Sequence, residues 1–246
     1  ASFTDDATRI LRALRYEQRL GFQLEKATEE AMRRDVAMLD TISGDRLRHE
    51  LELILKEQYP EKVLRRLGDI GAISRLLPSW KGDKGLETRL SLARQAEHSP
   101  SLYLALFVYP LEPAKSERFI ARIRFPDKTA KILRQTLELK AKLPLLARAD
   151  LSPSDIYHLV EGYSPTAIIA NALVTGLPQV RHNLHLYLDK LHSIKLSLRG
   201  TDLMDMGVEP GPRLGQLLGR LQEAKLNGEA ATREDEVRLV KSWLSE

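Results

Sequence analysis

Helical spacing of the apolar residues is the feature that most constrains the fold of this chain. Apolar residues recur three and four positions apart in almost every segment, as at Ile10, Leu11 and Leu14, and this period places them on one face of an α-helix. Proline or a polar capping residue opens most segments, and glycine closes several of them. Only residues 102–109 (LYLALFVY) are ambiguous between helix and strand. The sequence therefore predicts an all-α protein, a multi-helix array with no significant sheet.

The same prolines, polar capping residues and glycines predict where the helices begin and end. Thr4 or Asp5 is expected to cap the first helix, and Gly21 is expected to end it. Ser43 is expected to cap the third. The remaining helices are expected at residues 25–41, 86–96, 99–109, 112–123, 127–142, 178–196 and 212–227, from Pro60 to near the Gly68 and Gly71 pair, and after the caps Ser152, Ser164 and Thr232. Residues 78–85 (PSWKGDKG) predict a loop.

The composition narrows the cellular setting. Cysteine is absent, which excludes a disulfide scaffold and any zinc site built on cysteine and favours a reducing compartment. No run of about 18 apolar residues occurs, so the sequence predicts no membrane span. The first residues carry charge and show no signal-peptide pattern. We therefore expect a cytoplasmic protein.

A basic segment lies in the middle of the chain. Between Glu112 and Arg148 there are ten Lys or Arg residues and four acidic residues, whereas the whole chain has a formal net charge of only +4. Two interpretations stay open: a solvated helix face, or a surface that follows a phosphate backbone with an affinity that falls as salt rises. For the second interpretation the candidate RNA-binding residues are Lys115, Arg118, Arg122, Lys128, Lys131 and Arg134.

The sharpest motif is the segment Asp5-Asp6-Ala7-Thr8-Arg9, in which Asp6 and Arg9 would be neighbours on one helix face. One interpretation is structural: the two acids complement the dipole of a helix N-terminus, and Asp6 forms a local ion pair with Arg9. The other interpretation is base selection. Cytosine and adenine present an amine donor beside an acceptor ring nitrogen, so a carboxylate can accept from the amine while an arginine donates to the nitrogen. Guanine and uracil present the opposite order on that edge.

Residues 3–22 (FTDDATRILRALRYEQRLGF) carry a resemblance to a known family. They resemble the neck-helix motif of the tRNA nucleotidyltransferase and poly(A) polymerase family, in which an acid-Asp-x-x-Arg signature precedes spaced arginines and Leu-Gly-Phe. The resemblance implies that Asp6 and Arg9 read the incoming base and that Asp5 and Arg12 support them. The family usually has Glu at the position of Asp5.

Two further motifs follow in the order that the family has them. Residues 42–55 (ISGDRLRHELELIL) resemble the next motif, in which Asp45, Arg46 and Glu50 brace the neck. A plain surface ion pair between Arg46 and Glu50 is the alternative. Residues 200–229 are similar to the Gly-x-Asp-Leu … Pro-Gly-Pro-x-x-Gly module of many long members, where a helix N-terminus either binds a phosphate or is a plain turn.

The resemblance implies an organisation and a function. It implies a neck and the start of a body at residues 1–80, a helical body with a basic face at residues 81–150, and a C-terminal body and tail that binds tRNA at residues 151–246. The expected function is that of the helical region of a template-independent enzyme that adds C, A or both to tRNA 3′ ends. The expected partners are tRNA, ATP and CTP, with no membrane, and the oligomeric state stays open.

The resemblance also implies where the chemistry takes place. In the family, Mg²⁺ lies on carboxylates of a head domain that has no counterpart in this sequence. Neither a catalytic residue nor a metal or other cofactor is therefore expected in this fragment, which should be inactive alone. A poly(A) polymerase of the same family and a non-catalytic helical RNA-binding module are the alternatives.

Overall fold

The computed structural model describes residues 3–77, 85–96 and 99–245 of the chain. In these residues the regular secondary structure is entirely helical, with fifteen α-helices and two short 3₁₀ segments and without a strand. The predicted all-α fold class is therefore confirmed. The chain divides into two compact units, Ala1–Ala141 with Tyr163–Val174 and Lys142–Gly162 with Thr175–Glu246. No helix of the described residues combines the length and the apolar character needed to cross a bilayer.

The helices are distributed over both units. In the first unit lie α1 Thr8–Leu20, α2 Lys26–Asp35, α3 Gly44–Leu55, α4 Pro60–Ile70, α5 Ala72–Leu76, α6 Leu86–Ala96, α7 Pro100–Val108, α8 Pro113–Ile123, most of α9 Asp127–Leu146, and α11 Pro165–Val174. In the second unit lie α10 Pro153–Val160, α12 Pro178–Asp189, α13 Gly200–Asp205, α14 Pro212–Leu226 and α15 Arg233–Leu244. Seven of these described helices begin on a proline, which suits the first helical position because no N–H donor is needed there.

Helix α7 forms the centre of the core of the first unit. Every residue from Leu102 to Val108 is buried, and the helix packs against α6 and α11. A helix that is apolar on all sides is stable only when other elements surround it. Ser99 precedes the helix in an extended conformation and Pro100 opens it. The ambiguous segment at residues 102–109 is therefore a buried helix and not a strand.

Helices α1, α3 and α4 pack together and position the predicted neck motif. On α1, Ile10, Leu11 and Leu14 are at most 1% exposed, and burial of each such side chain contributes about 1.5–3 kcal/mol. Gly21, with φ of 67°, ends α1 in the left-handed conformation that glycine adopts freely. Ser43 occupies the N-cap position of α3. The predicted end of the first helix and the predicted start of the third are therefore confirmed.

Three helices end several residues away from their predicted ends. The helix expected at residues 25–41 is α2 as far as Asp35, followed by a 3₁₀ segment at Val36–Thr41. Carbonyl groups at the end of that segment accept from the guanidinium of Arg122, which satisfies them without a continued helical ladder. Helix α9 continues beyond residue 142 with Pro144 inside it, and α12 ends early, at Asp189. Residues 78–84 of the predicted loop lie outside the described residues.

A buried carboxylate holds the second unit together. Glu236 on α15 is 0% exposed. It accepts from the backbone N–H groups of Ser197 and Leu198 at 2.8–3.0 Å and from the ammonium of Lys225 on α14. Burial by itself would raise the pKa of Glu236, but these donors outweigh it and the pKa lies below its ordinary value. A charged contact therefore joins α14 to α15 in addition to their apolar packing.

Candidate functional site

Asp6 lies just before α1, and three donors fix its carboxylate. The backbone N–H and the hydroxyl of Thr8 donate to Asp6 Oδ1 at 3.0 and 2.7 Å, and Arg46 Nη2 donates to the same oxygen at 2.9 Å. Within the described residues no donor reaches Oδ2. The Thr8 hydroxyl above all, with the Thr8 N–H and Arg46, lowers the pKa of Asp6, so the carboxylate is ionised at neutral pH. Oδ2 is therefore the oxygen that remains to accept from a ligand.

The structure corrects the predicted start of the first helix. Helix α1 begins at Thr8 with Ala7 at the N-cap position, whereas the sequence predicted Thr4 or Asp5 as the cap. The Asp6 carboxylate accepts from the N–H of Thr8, one of the groups that a helix N-terminus leaves without an intrahelical partner. Asp6 therefore performs the capping that was assigned to its neighbours.

Asp6 and Arg9 are joined by a turn at the start of α1. Arg9 N donates to Asp6 O at 3.2 Å, and α1 starts only after Asp6. The carboxylate makes an ion pair with Arg46, 40 residues further along the chain. Sequence spacing does not reveal this partner, because only the packing of α1 against α3 brings Arg46 to Asp6. Base reading by Asp6 and Arg9 stays a prediction.

Glu50 on α3 connects that helix to the arginines of α1. Its Oε1 lies 4.0 Å from Arg12 Nε, and its Oε2 lies 4.0 Å from Arg15 Nη2. Arg15 has a side chain only 7% exposed and donates to Glu57 at 3.1 Å, so its role is structural. The Arg12 side chain is 49% exposed and remains accessible to a ligand. The ion pairs of Glu50 are thus made across two helices, in place of the alternative pair with Arg46.

These side chains line one open pocket of about 290 Å³, close to the lower limit of roughly 300 Å³ for ligand sites. The lining residues come from the start of α1 and from α3: Asp6, Thr8, Arg12, Asp45, Arg46, His49 and Glu50. The pocket thus brings together five residues that the sequence singled out, whereas Asp5 and Arg9 are not part of its lining.

Sequence reasoning missed two residues of this pocket, Thr8 and His49. A signal existed for Thr8. An aspartate often accepts from the backbone two residues later in a turn, and Asp6 and Thr8 have this spacing. For His49 the signal was weaker: it lies three residues after Arg46 and therefore on the same side of α3.

The six basic residues predicted to contact RNA lie on α8 and α9 but differ in their contacts. Lys115 pairs with Glu112 at 3.2 Å, and Arg134 forms two bonds to Glu117 at 2.7 and 2.9 Å. Arg122 donates to two backbone carbonyls before α3 at 3.0 Å. The other three are exposed and have no ion pair with any described residue: Arg118, Lys128 and Lys131.

The described residues offer no ligand set for a metal ion. No three His, Asp or Glu side chains among them lie close enough to hold one. In the pocket the acids face arginines, Asp6 toward Arg46 and Glu50 toward Arg12, which already neutralise them. These two acids are therefore not arranged as ligands of Mg²⁺, and no chemical step is assigned to a metal here.

The fold and the pocket define an all-helical module with a carboxylate–guanidinium site and a basic helix pair. A family model described as the probable RNA and SrmB-binding site of polymerase A matches residues 21–83. An A-adding tRNA nucleotidyltransferase of Geobacter sulfurreducens is 32% identical over 97% of this chain and 29% of its own length. A CCA-adding enzyme of Streptococcus sanguinis is 30% identical over 92% of this chain and 57% of its own length.

Solved structures agree with these matches. The CCA-adding enzyme of Thermotoga maritima complexed with tRNA has a TM-score of 0.78 and 25% identity over 98% of this chain and 62% of that one. A CCA-adding enzyme in complex with CTP has a TM-score of 0.76, also with 25% identity, over 99% of this chain and 61% of that one. The resemblance to the tRNA nucleotidyltransferase and poly(A) polymerase family is therefore confirmed over nearly the whole chain. The chain spans between 29% and 57% of the length of the two curated relatives.

Proposed function

We propose that this chain is the nucleotide-selecting and tRNA-holding region of a template-independent tRNA nucleotidyltransferase that adds C, A or both to tRNA 3′ ends. The likeness to A-adding and CCA-adding enzymes over 97% and 92% of the chain supports the reaction class. The single observation that carries the assignment is the hydrogen bonding of the Asp6 carboxylate. Thr8 and Arg46 occupy one carboxylate oxygen, and the other is available beside an open pocket.

Selection of the base then follows from hydrogen-bond polarity. Asp6 Oδ2 accepts from the exocyclic amine of cytosine or adenine, and Arg9 donates to the adjacent ring nitrogen. Uracil and guanine present a carbonyl where the amine would be, so an ionised Asp6 faces an acceptor and repels it. A matched pair of this kind contributes about 1–3 kcal/mol of discrimination. Asp5 and Arg12 support the pair, Arg12 from the rim of the pocket, where its side chain is half exposed.

The RNA is held by charge on α8 and α9. Arg118, Lys128 and Lys131 are exposed and lack an ion pair with the described residues, so each can meet a phosphate without first breaking a salt bridge. Lys115 and Arg134 must exchange a carboxylate for a phosphate. We therefore assign the first contacts with tRNA to the three unpaired cations.

We assign the transfer step, with its Mg²⁺, to a part of the protein outside this chain. The relatives are longer than the aligned region, and the described residues hold no cluster of metal-ligating side chains. When bound, Mg²⁺ would polarise the triphosphate and activate the RNA 3′ hydroxyl. The residues of this chain select the base and orient the RNA, and this chain alone is expected to polymerise nothing.

The test measures nucleotide choice in the full-length protein that carries this chain. tRNA transcripts that end before, within and after the CCA sequence are incubated with each nucleoside triphosphate separately, for the wild type and for Asp6→Ala. We expect the wild type to add C, A or both and to reject U and G, and the Asp6→Ala enzyme to lose this selection. Asp205→Ala on α13, whose side chain is exposed, is the matched control and should keep it.

The same assay separates the competing functions. An Asp6→Ala enzyme with unchanged nucleotide preference would refute the templating role. Addition of A alone to many unrelated RNAs would identify a poly(A) polymerase. RNA binding by a full-length protein that transfers no nucleotide would identify a non-catalytic binding module.

A further inference from the structure

The C-terminus of α8 is attached to the segment that leads into α3. The guanidinium of Arg122 donates to the carbonyl oxygens of Leu39 and Ile42, each at 3.0 Å, and approaches that of Asp40 at 3.4 Å. The carbonyls of Leu39 and Asp40 belong to the second half of the 3₁₀ segment, and Ile42 connects that segment to Ser43, the N-cap residue of α3. One side chain therefore satisfies the backbone at the point where α3 begins, a contact that needs the planar fork of arginine.

The next residues of α8 and α3 add further contacts. Arg124, which ends α8 with a left-handed φ of 55°, places one guanidinium nitrogen 3.3 Å from Asp45 Oδ2, and its carbonyl oxygen accepts from Arg48. Gly44, the first residue of α3, lies so close to this junction that an added Cβ would overlap the Arg122 carbonyl oxygen. Only glycine permits this approach of the two helix ends.

The junction adjoins the pocket, because Asp45 contacts Arg124 at the junction and also lines the pocket. Arg46 follows Asp45 on α3 and donates to Asp6 Oδ1 at 2.9 Å. A shift of the start of α3 would move the Arg46 guanidinium and turn the Asp6 carboxylate, because Arg46 is one of only three donors to that oxygen among the described residues. Misplacements of about 1 Å in such constellations cost up to 100-fold in rate.

We propose that Arg122 is a positioning residue for base selection, which holds the start of α3 so that Arg46 presents the Asp6 carboxylate to the incoming nucleotide. This inference rests on the proposed selection by Asp6. It separates Arg122 from the cations that contact RNA: its guanidinium is used by backbone carbonyls, whereas Arg118, one turn earlier on α8, is exposed and has no ion pair with a described residue.

The test compares Arg122→Lys with Arg118→Gln in the full-length protein. Lysine keeps the charge of Arg122 but cannot donate to two carbonyls in a fixed fork. For each enzyme, kcat/KM is measured for CTP, ATP and UTP, together with the KM for tRNA. We expect Arg122→Lys to lower the preference for CTP and ATP over UTP about tenfold, with the tRNA KM within twofold of the wild type. Arg118→Gln should raise the KM for tRNA and leave the preference for CTP and ATP over UTP unchanged.

Two further variants keep the test decisive. Arg124→Gly relieves the left-handed φ and deletes the contact with Asp45, so it should fold and still lower the preference several-fold, and it replaces Arg122→Lys if that enzyme does not fold. Asp6→Ala tests the proposed function separately. Unchanged nucleotide preference in a folded Arg122→Lys or Arg124→Gly enzyme, with selection lost in Asp6→Ala, would overturn the positioning role alone. A raised tRNA KM with selection intact in Arg122→Lys would make Arg122 an RNA contact instead.

Discussion

Asp6→Asn is expected to invert the choice of nucleotide. The amide oxygen must take the place of Oδ1, because Thr8 and Arg46 present three donors there and an amide nitrogen cannot accept from them. The amide NH₂ group then replaces Oδ2. The pocket would meet the exocyclic amine of cytosine or adenine with a donor, and the carbonyl of uracil or guanine with a matching one.

The magnitude follows from the number of bonds that change. One well-placed polar contact to a base edge is lost for C and A, which costs about 1–3 kcal/mol of transition-state stabilisation. The kcat/KM for CTP and for ATP should therefore fall roughly 5- to 150-fold. For UTP the change has the opposite sign. Asp6→Ala removes acceptor and donor alike, so it should lose the preference without inverting it.

The assay is single-nucleotide extension of a tRNA transcript that ends before CCA, with kcat/KM measured for all four nucleoside triphosphates. Asp205→Asn makes the same chemical change at an exposed position of α13 and should leave the four values unchanged. A folded Asp6→Asn enzyme that still prefers CTP to UTP, or one indistinguishable from Asp6→Ala, would refute the argument that the three donors orient this side chain.

Three further predictions concern RNA binding and stability. Replacing the unpaired cations Arg118, Lys128 and Lys131 by Gln should reduce the slope of log affinity for tRNA against log salt by about 2–3; an unchanged slope would exclude these three side chains as phosphate contacts. Glu236→Ala should destabilise the second unit by about 3–5 kcal/mol, because it leaves Lys225 without its buried partner; a denaturant midpoint equal to the wild type would contradict this. Donation by Arg66, and then by Arg33, lowers the pKa of Glu29 to about 2, so its contribution to stability is complete above the unfolded value near 4.5 and is lost as the pH falls toward 2; Glu29→Gln should remove that part of the acid transition in circular dichroism, and an unaltered transition would speak against it.

Local signals were sufficient for most of the helices. The helix expected at residues 86–96 is α6, Leu86–Ala96. Ser152 caps α10: its hydroxyl accepts from the N–H of Asp155, and its own N–H donates to the Asp155 carboxylate. Such elements depend on bonds between residues three and four apart, so the sequence contains what decides them. The second predicted helix was wrong in its last third, because a guanidinium from α8 satisfies the carbonyls there.

The candidate site was predictable as a set of residues but not as a set of contacts. Asp6, Arg46 and Glu50 carry the motifs, and all three line the pocket. Asp6 pairs with Arg46, 40 positions further along the chain, and Glu50 pairs with Arg12 and Arg15 of α1, so each pair joins the start or the body of α1 to α3. The expectation that Asp6 pairs with its near neighbour Arg9 followed sequence spacing, which has no information on a partner from another helix.

By itself the sequence determined the fold class, most helix ends and the residues that carry charge into the site, since periodicity, caps and prolines act over one or two helical turns. Tertiary structure decided the partner of each charge. Arginine side chains are long, and a guanidinium donates hydrogen bonds to whichever acceptor the packing of the helices places within reach. For this reason Arg122 donates to the backbone carbonyls before α3 and is not available as an RNA-binding cation, and Arg46 pairs with Asp6.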